Sequence, residues 1–142
     1  MTPDVVSDRL TTSGVIPRDA LEGLAGEGYE IVINLLPSDS EYAVPDEQAI
    51  VERQGLRYVY IPVDFANPTG EDLERFAEVM DAAGDRKTHV HCAANFRVSA
   101  FYALYATGRG RWTPDEARDF VTDIWDPAEH PPWGDLLRDP AG

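Results

Sequence analysis

Apolar residues fall along the chain in blocks that predict strands and helices in turn. A nearly continuous apolar run covers Glu30 to Leu36, and shorter strand-like runs, which include polar residues, cover Leu56 to Ile61 and Lys87 to His91. Such runs are typical of strands that are covered on both faces, as in a parallel sheet. Between them, apolar residues recur at helical spacing over residues 45–54 and 69–84. The pattern therefore alternates strand with helix.

The two ends of the chain are less regular. Met1 to Ser7 is polar and predicts no regular element, whereas Arg9 to Ser13 predicts a short strand at the edge of the sheet. Thr113-Pro114-Asp115-Glu116 is the clearest helix start, with an N-cap threonine, a proline in the first turn and a glutamate that can complete a capping box. The tail from Asp126 predicts irregular structure with one helical turn at Asp135 to Arg138.

This alternation predicts the fold class. Strand and helix alternate from residue 30 to residue 107, which indicates right-handed crossovers around a sheet. We predict a three-layer α-β-α fold with a central, mostly parallel sheet of four to five strands, and one domain over residues 1–142.

No segment is long and apolar enough to span a membrane, and no basic, apolar leader is evident, so we expect a cytoplasmic protein.

The net charge of the chain limits the classes of molecule that it is expected to bind. The chain has 12 Lys and Arg against 26 Asp and Glu, a net charge of −14. Nucleic acids and anionic membranes bind mainly through clustered basic residues, so we expect neither as a partner. An anionic substrate with a single charged group is a better expectation than a polyanion.

Candidate chemistry is concentrated between His91 and Ser99, around the only cysteine, Cys92. A strand leads into Cys92, a loop of small residues follows, and a helix is predicted from Ala100 to Thr107. Amides of the loop and of the first helical turn lack backbone acceptors, and the helix dipole also favours an anion. A thiol in that field ionises more readily and becomes nucleophilic. We expect a phosphate or sulfate anion to bind the loop residues Ala93, Ala94, Asn95, Phe96, Arg97 and Val98.

This stretch resembles the signature loop of the cysteine-dependent phosphatases, tyrosine-specific and dual-specificity alike. In that family His-Cys is followed by five residues, an arginine, and a serine or threonine. Here Asn95 takes the family's glycine position and Ser99 its hydroxyl position, but Arg97 comes one residue early and Val98 occupies the arginine position. The sequence also resembles bacterial phosphatase-like proteins with a His-Cys-x-x-Asn-x-Arg-x-Ser pattern. The resemblance implies the phosphatase fold and hydrolysis of a phosphomonoester through a cysteinyl phosphate. The expected substrate is a singly phosphorylated protein, such as one that carries phosphotyrosine, or a phosphorylated small molecule.

Each residue of the loop then has an expected role. Cys92 is the expected nucleophile, and the planar guanidinium of Arg97 is expected to stabilise the phosphoryl oxygens. Asn95 tolerates the left-handed backbone that a tight turn needs. Ser99 is expected to donate a hydrogen bond to the thiolate, and His91 to orient the loop.

Asp64 is the expected general acid. It follows a predicted strand, so it is expected at the sheet edge where Cys92 lies, and it precedes Cys92 by 28 residues. Pro62, Asp64 and Pro68 resemble the Pro-x-Asp-x-x-x-Pro loop of the dual-specificity phosphatases. A carboxylic acid there would protonate the departing oxygen.

Two alternatives remain open at the level of the sequence. Arg97 lies five residues after Cys92, the spacing of a shorter loop that resembles the rhodanese-type sulfurtransferases, in which Cys92 would carry a persulfide. A catalytically weak, oxyanion-binding pseudophosphatase is the other. None of these readings requires a metal or an organic cofactor.

Overall fold

The computed structural model describes residues 4–138. Its sheet has five strands: β1 (Asp4–Ser7), β2 (Leu10–Ser13), β3 (Ile31–Asn34), β4 (Arg57–Tyr60) and β5 (Thr88–His91). Their order in the sheet is β1-β2-β5-β3-β4, and only β1 is antiparallel to its neighbour. The predicted mostly parallel sheet is therefore confirmed, and β5 is its central strand.

Six helices cover the sheet: α1 (Arg18–Glu22), α2 (Glu47–Arg53), α3 (Gly70–Ala83), α4 (Phe96–Gly108), α5 (Pro114–Thr122) and α6 (Pro131–Arg138). The side chains of β3 show how the layers form. Val32 packs in one apolar cluster with α1 and α2, whereas Ile31 and Ile33 pack in the larger cluster with α3, α4, α5 and α6. Because successive strand residues point to opposite faces, a fully buried β3 needs a helical layer on each side. The predicted three-layer architecture is confirmed.

The N-terminal prediction needs two corrections. Residues Asp4–Ser7, expected to lack regular structure, form β1, and β2 is consequently an inner strand rather than an edge strand. Val5 of β1 is 71% exposed, so this edge strand has little apolar burial that a sequence pattern could show. Residues 1–3 and 139–142 lie outside the described part of the chain.

The observed helix boundaries agree best with the predicted ones where the sequence encodes a capping residue. Thr113 and Glu116 form the predicted capping box of α5, and Thr69 accepts a hydrogen bond from the amide of Asp72 at the start of α3. The predicted single turn at Asp135 to Arg138 is too short, because α6 begins at Pro131. Trp133 of α6 is completely buried, and this tertiary packing extends the helix.

Candidate active site

The predicted nucleophile lies where the central strand ends. Cys92 directly follows β5, and its amide donates a 3.3 Å hydrogen bond to the carbonyl oxygen of Ser13, at the end of β2. The thiol is free and 0% exposed. Parallel strands that end together form the edge where open α/β sheets bind ligands.

The loop after Cys92 is bound to β2 and the residues that follow it. The carbonyl oxygen of Ala93 accepts a 3.0 Å hydrogen bond from the amide of Val15, and Nδ2 of Asn95 donates a 3.1 Å bond to Oγ1 of Thr12. Asn95 has φ 66° and is the one non-glycine residue with positive φ in residues 4–138. The expectation that asparagine supplies the left-handed turn is confirmed.

Helix α4 begins inside the predicted anion loop. The sequence predicts its start at Ala100, but the structure places it at Phe96, so Phe96, Arg97 and Val98 form the first turn. The amides of a first turn have no acceptor within their helix, and they point with the positive end of the dipole toward the preceding loop. The amide of Ser99 makes the first bond of the helix, 3.0 Å to the carbonyl oxygen of Asn95. The loop that the sequence predicts to bind an anion is therefore shorter than expected, and its second half is helical.

Arg97 lies against the loop that carries Asp64. Its Nε donates a 2.8 Å hydrogen bond to the carbonyl oxygen of Val63, and its guanidinium carbon lies 5.1 Å from the centre of the Phe65 ring. Because Nε donates to Val63, the two Nη groups are the remaining hydrogen-bond donors of the Arg97 guanidinium. Two adjacent donors of this kind can bind two oxygens of one anion.

Asp64 and Arg97 share an open cleft of about 610 Å³, which is also lined by Pro37, Pro62 and Phe65. The Asp64 side chain is exposed, and its Oδ1 accepts a 2.9 Å hydrogen bond from the amide of Ala66. The carbonyl oxygen of the next residue, Phe65, accepts a 2.8 Å bond from the Trp133 indole. The structure thus brings the predicted acid and the predicted arginine to one cleft.

Ser99 has other partners than the one predicted from the sequence. Its buried hydroxyl donates to the carbonyl oxygen of Phe96 and accepts from Nε1 of Trp125, each at 3.0 Å. Trp125 also stacks on the ring of Phe96, with ring centres 4.5 Å apart. In this geometry Ser99 joins the first turn of α4 to the residues after α5. Its bond to a thiolate stays a prediction.

His91 is oriented by a residue that the sequence reasoning missed. Its Nε2 lies 2.6 Å from Oε2 of Glu47, the first residue of α2, and both side chains are buried. The sequence does contain a pattern that predicts the burial of Glu47. Glu47 precedes Ile50 and Val51 by three and four residues and so shares their buried helix face.

Three polar residues, Thr11, Ser13 and Tyr29, lie around the neighbouring His89. Its Nδ1 lies 2.6 Å from Oγ1 of Thr11, and its Nε2 lies 2.8 Å from Oγ of Ser13. Burial, and then the proximity of His91, lower the pKa of His89 to about 3. His89 is therefore neutral at physiological pH. Within residues 4–138 no group of three or more His, Cys, Asp or Glu side chains is placed to hold a metal ion.

Comparison with known proteins gives the family. No family model matches the chain. A β-lactamase hydrolase-like protein of Xylella fastidiosa is 33% identical over 114 residues, which cover 78% of this chain. The chain spans about a quarter of the length of that relative, which is matched over 26% of its sequence.

Solved structures agree with the predicted fold. A candidate phosphatase (DUF442) from Shewanella putrefaciens has a TM-score of 0.89 and 38% identity, and the match covers 98% of this chain and 88% of the other. The kinase-associated phosphatase has a TM-score of 0.75 at 17% identity, covering 92% and 84% of the two chains. Pseudomonas aeruginosa TpbA, solved with phosphotyrosine, has a TM-score of 0.73 at 15% identity, covering 93% and 80%.

The last two likenesses show the fold, whereas the first also shows the family. No helix within residues 4–138 has the length and apolar character needed to cross a membrane. The predicted fold of the cysteine-dependent phosphatases is confirmed. The chain belongs to the DUF442 family, a branch with the fold of the cysteine-dependent phosphatases.

Proposed function

We propose that this protein hydrolyses a phosphomonoester through a phosphate bound covalently to Cys92. One arrangement carries the proposal. Cys92 directly follows the central strand and lies four residues before Phe96, the first residue of α4, while Arg97 of that helix is anchored by the 2.8 Å bond to Val63 on the loop that presents Asp64. Nucleophile, anion-binding amides, guanidinium and acid therefore come from adjoining segments of one sheet edge.

The reaction has two steps. In the first, the Cys92 thiolate attacks phosphorus, the bond to the ester oxygen breaks, and Asp64 gives its proton to that oxygen. The Arg97 Nη groups and the amides of Phe96, Arg97 and Val98 hold the phosphoryl oxygens while charge develops on them. In the second step, Asp64 takes a proton from water, the water oxygen bonds to phosphorus, and Cys92 leaves as a thiolate. No metal or organic cofactor is needed.

Asp64 distinguishes this reaction from sulfur transfer. A persulfide relay on Cys92 expels no alkoxide or phenoxide, so it needs no carboxylic acid beside the arginine. Asp64 nevertheless lines the same cleft as Arg97, and its loop is fixed by the Trp133 bond to Phe65. The shared cleft favours phosphatase chemistry.

The substrate class follows from charge and from the walls of the cleft. Phe65 and the prolines Pro37 and Pro62 offer apolar surface to an aromatic leaving group, and Arg97 is the only basic residue among the described residues that line the cleft. With a net charge of −14, a singly phosphorylated group such as phosphotyrosine is favoured over polyphosphates, nucleic acids or anionic membranes. A lone thiol that must stay reduced fits a cytoplasmic location.

The experiment measures p-nitrophenol release from p-nitrophenyl phosphate by the wild type and by Cys92→Ser, Asp64→Asn and Asp85→Asn. Asp85 is exposed between α3 and β5 and serves as the matched control. We expect no activity from Cys92→Ser, a loss of roughly 10²- to 10⁴-fold from Asp64→Asn, and wild-type rates from the control. Thiocyanate formation from thiosulfate and cyanide, with no phosphatase activity, would overturn the proposal in favour of sulfur transfer. Failure in both assays would indicate a pseudophosphatase.

A further inference from the structure

A buried carboxylate lies next to the strand that leads into Cys92. Glu47 begins α2, and its Oε2 is 2.6 Å from Nε2 of His91, with the two side chains 5% and 3% exposed. The mechanism proposed above uses neither group. His91 is nevertheless bonded through the main chain to the nucleophile.

Stability alone does not explain this pair. Glu47 shares its helix face with Ile50 and Val51, which pack in an apolar cluster with Leu21 and Leu24. Taking a carboxylate out of water is costly, and replacing a buried ion pair by apolar residues is often neutral or stabilising. A carboxylate kept in this apolar layer therefore indicates a role at the site that it contacts.

The hydrogen bond fixes one orientation of the imidazole. Nε2 of His91 bonds to the Glu47 carboxyl group, and the other ring nitrogen, Nδ1, has no hydrogen-bond partner within residues 4–138. Nδ1 is bonded to Cγ, the ring carbon that carries Cβ, whereas Nε2 lies on the far side of the ring. The Glu47 bond thus supplies the one polar restraint on a buried ring next to the nucleophile.

Other titratable side chains lie near the pair. Burial, followed by the negative charge of Glu47, raises the pKa of Tyr58 on β4, whose hydroxyl accepts a 3.0 Å bond from Asn34 on β3. His89 on β5 stacks at 6.2 Å from the His91 ring and is neutral, since its pKa is lowered to about 3. On the outer side of α2, Asp46 is paired with Arg18 and is exposed. Glu47 is the buried carboxylate in contact with His91.

We propose that Glu47 is a positioning residue for Cys92 and that it acts through His91. The inference rests on the proposed function. Glu47 holds the His91 ring, and the ring holds the main chain from which the thiol and the loop project. Glu47 does not reach the phosphate, which Arg97 and the α4 amides bind. Its loss should therefore lower kcat and the reactivity of Cys92 while leaving KM nearly unchanged.

The test compares wild type with Glu47→Gln, Glu47→Met and Glu52→Gln. Glu52 lies on the exposed face of the same helix and is the matched control. With p-nitrophenyl phosphate, we expect kcat to fall about tenfold to a hundredfold in both Glu47 variants, with KM changed less than about twofold. The rate at which iodoacetate alkylates Cys92 should fall in parallel, while the melting temperature of Glu47→Met equals or exceeds that of the wild type.

The outcomes are separable from those of the phosphatase assay. Alkylation of Cys92 requires no turnover, so it tests Glu47 even if the wild type fails to hydrolyse any phosphomonoester. Wild-type kcat and alkylation rates in both Glu47 variants would overturn the proposal. A fall in kcat only in proportion to a lowered melting temperature, or failure of both variants to fold, would assign Glu47 to the stability of the fold and would also overturn it.

Discussion

Gly14 is the position where a single added carbon tests the link between the sheet and the loop. It follows β2 and forms an isolated bridge with Ala94. A Cβ at Gly14 would lie 2.6 Å from the carbonyl oxygen of Ala93 and 3.0 Å from Cα of Ala94. Both are backbone atoms, so no side-chain rotation relieves the contact, and the loop itself must move.

The size of the effect follows from that distance. The contact with the Ala93 oxygen is about 0.8 Å short of the 3.4 Å at which ordinary contact begins. Overpacking of this kind costs about 1–3 kcal/mol of unfolding free energy. A displacement approaching 1 Å at a reacting group costs up to about a hundredfold in rate, or about 2.7 kcal/mol of transition-state stabilisation. We expect Gly14→Ala to lower kcat/KM by roughly tenfold to a hundredfold.

The assay pairs kinetics with thermal unfolding. Gly14→Ala is compared with Gly26→Ala, where an added Cβ meets no atom within 4 Å. We expect kcat/KM for p-nitrophenyl phosphate and the melting temperature to fall in the first variant and to stay near wild type in the second. Wild-type values of both quantities in Gly14→Ala would refute the argument that this contact holds the Cys92 loop.

Three further predictions concern other parts of the site. Arg97→Lys should lower kcat by about 10²- to 10³-fold, because an ammonium cannot bond Val63 and two phosphoryl oxygens in one plane; a loss below tenfold in steady-state kinetics would contradict this. Trp125→Phe should reduce the free energy of unfolding by about 1–2 kcal/mol, since the indole bond to Ser99 is lost; unchanged urea unfolding would contradict it. His89 has a folded-state pKa of about 3, below the 6.5 of an unperturbed histidine, so the unfolded chain binds more protons between those values. The stability that His89 contributes above pH 6.5 should therefore fall as the pH is lowered toward 3. Urea unfolding at pH 7 and pH 4.5 should show a smaller loss in His89→Gln than in wild type, and equal losses would contradict the assignment.

The parts of the fold that local chemistry encodes could be predicted from the sequence. The buried strands β3 and β5 and the Thr113 cap of α5 all appear in the structure close to their expected places. Each depends on residues within a few positions of one another, so a local pattern was sufficient. The resemblance of the Cys92 loop gave the family in the same way.

The features that the sequence did not predict depend on contacts between residues far apart in the chain. Strand β1 forms because β2 offers it a pairing edge, and α6 extends to Pro131 because Trp133 packs into the core. The pairing of Glu47 with His91 joins residues 44 positions apart. The partners of Ser99 were missed for the same reason, since Trp125 lies 26 residues away.

The most direct test of the proposed mechanism is to trap the phosphorylated intermediate on Cys92. Wild-type protein is mixed with p-nitrophenyl phosphate, quenched in acid within the first turnover, digested and mapped by mass spectrometry. We expect one phosphoryl group on the peptide that contains Cys92, and none when Cys92→Ser is treated in the same way. Hydrolysis that proceeds with no phosphoryl group on Cys92, or with the group on another residue, would contradict it.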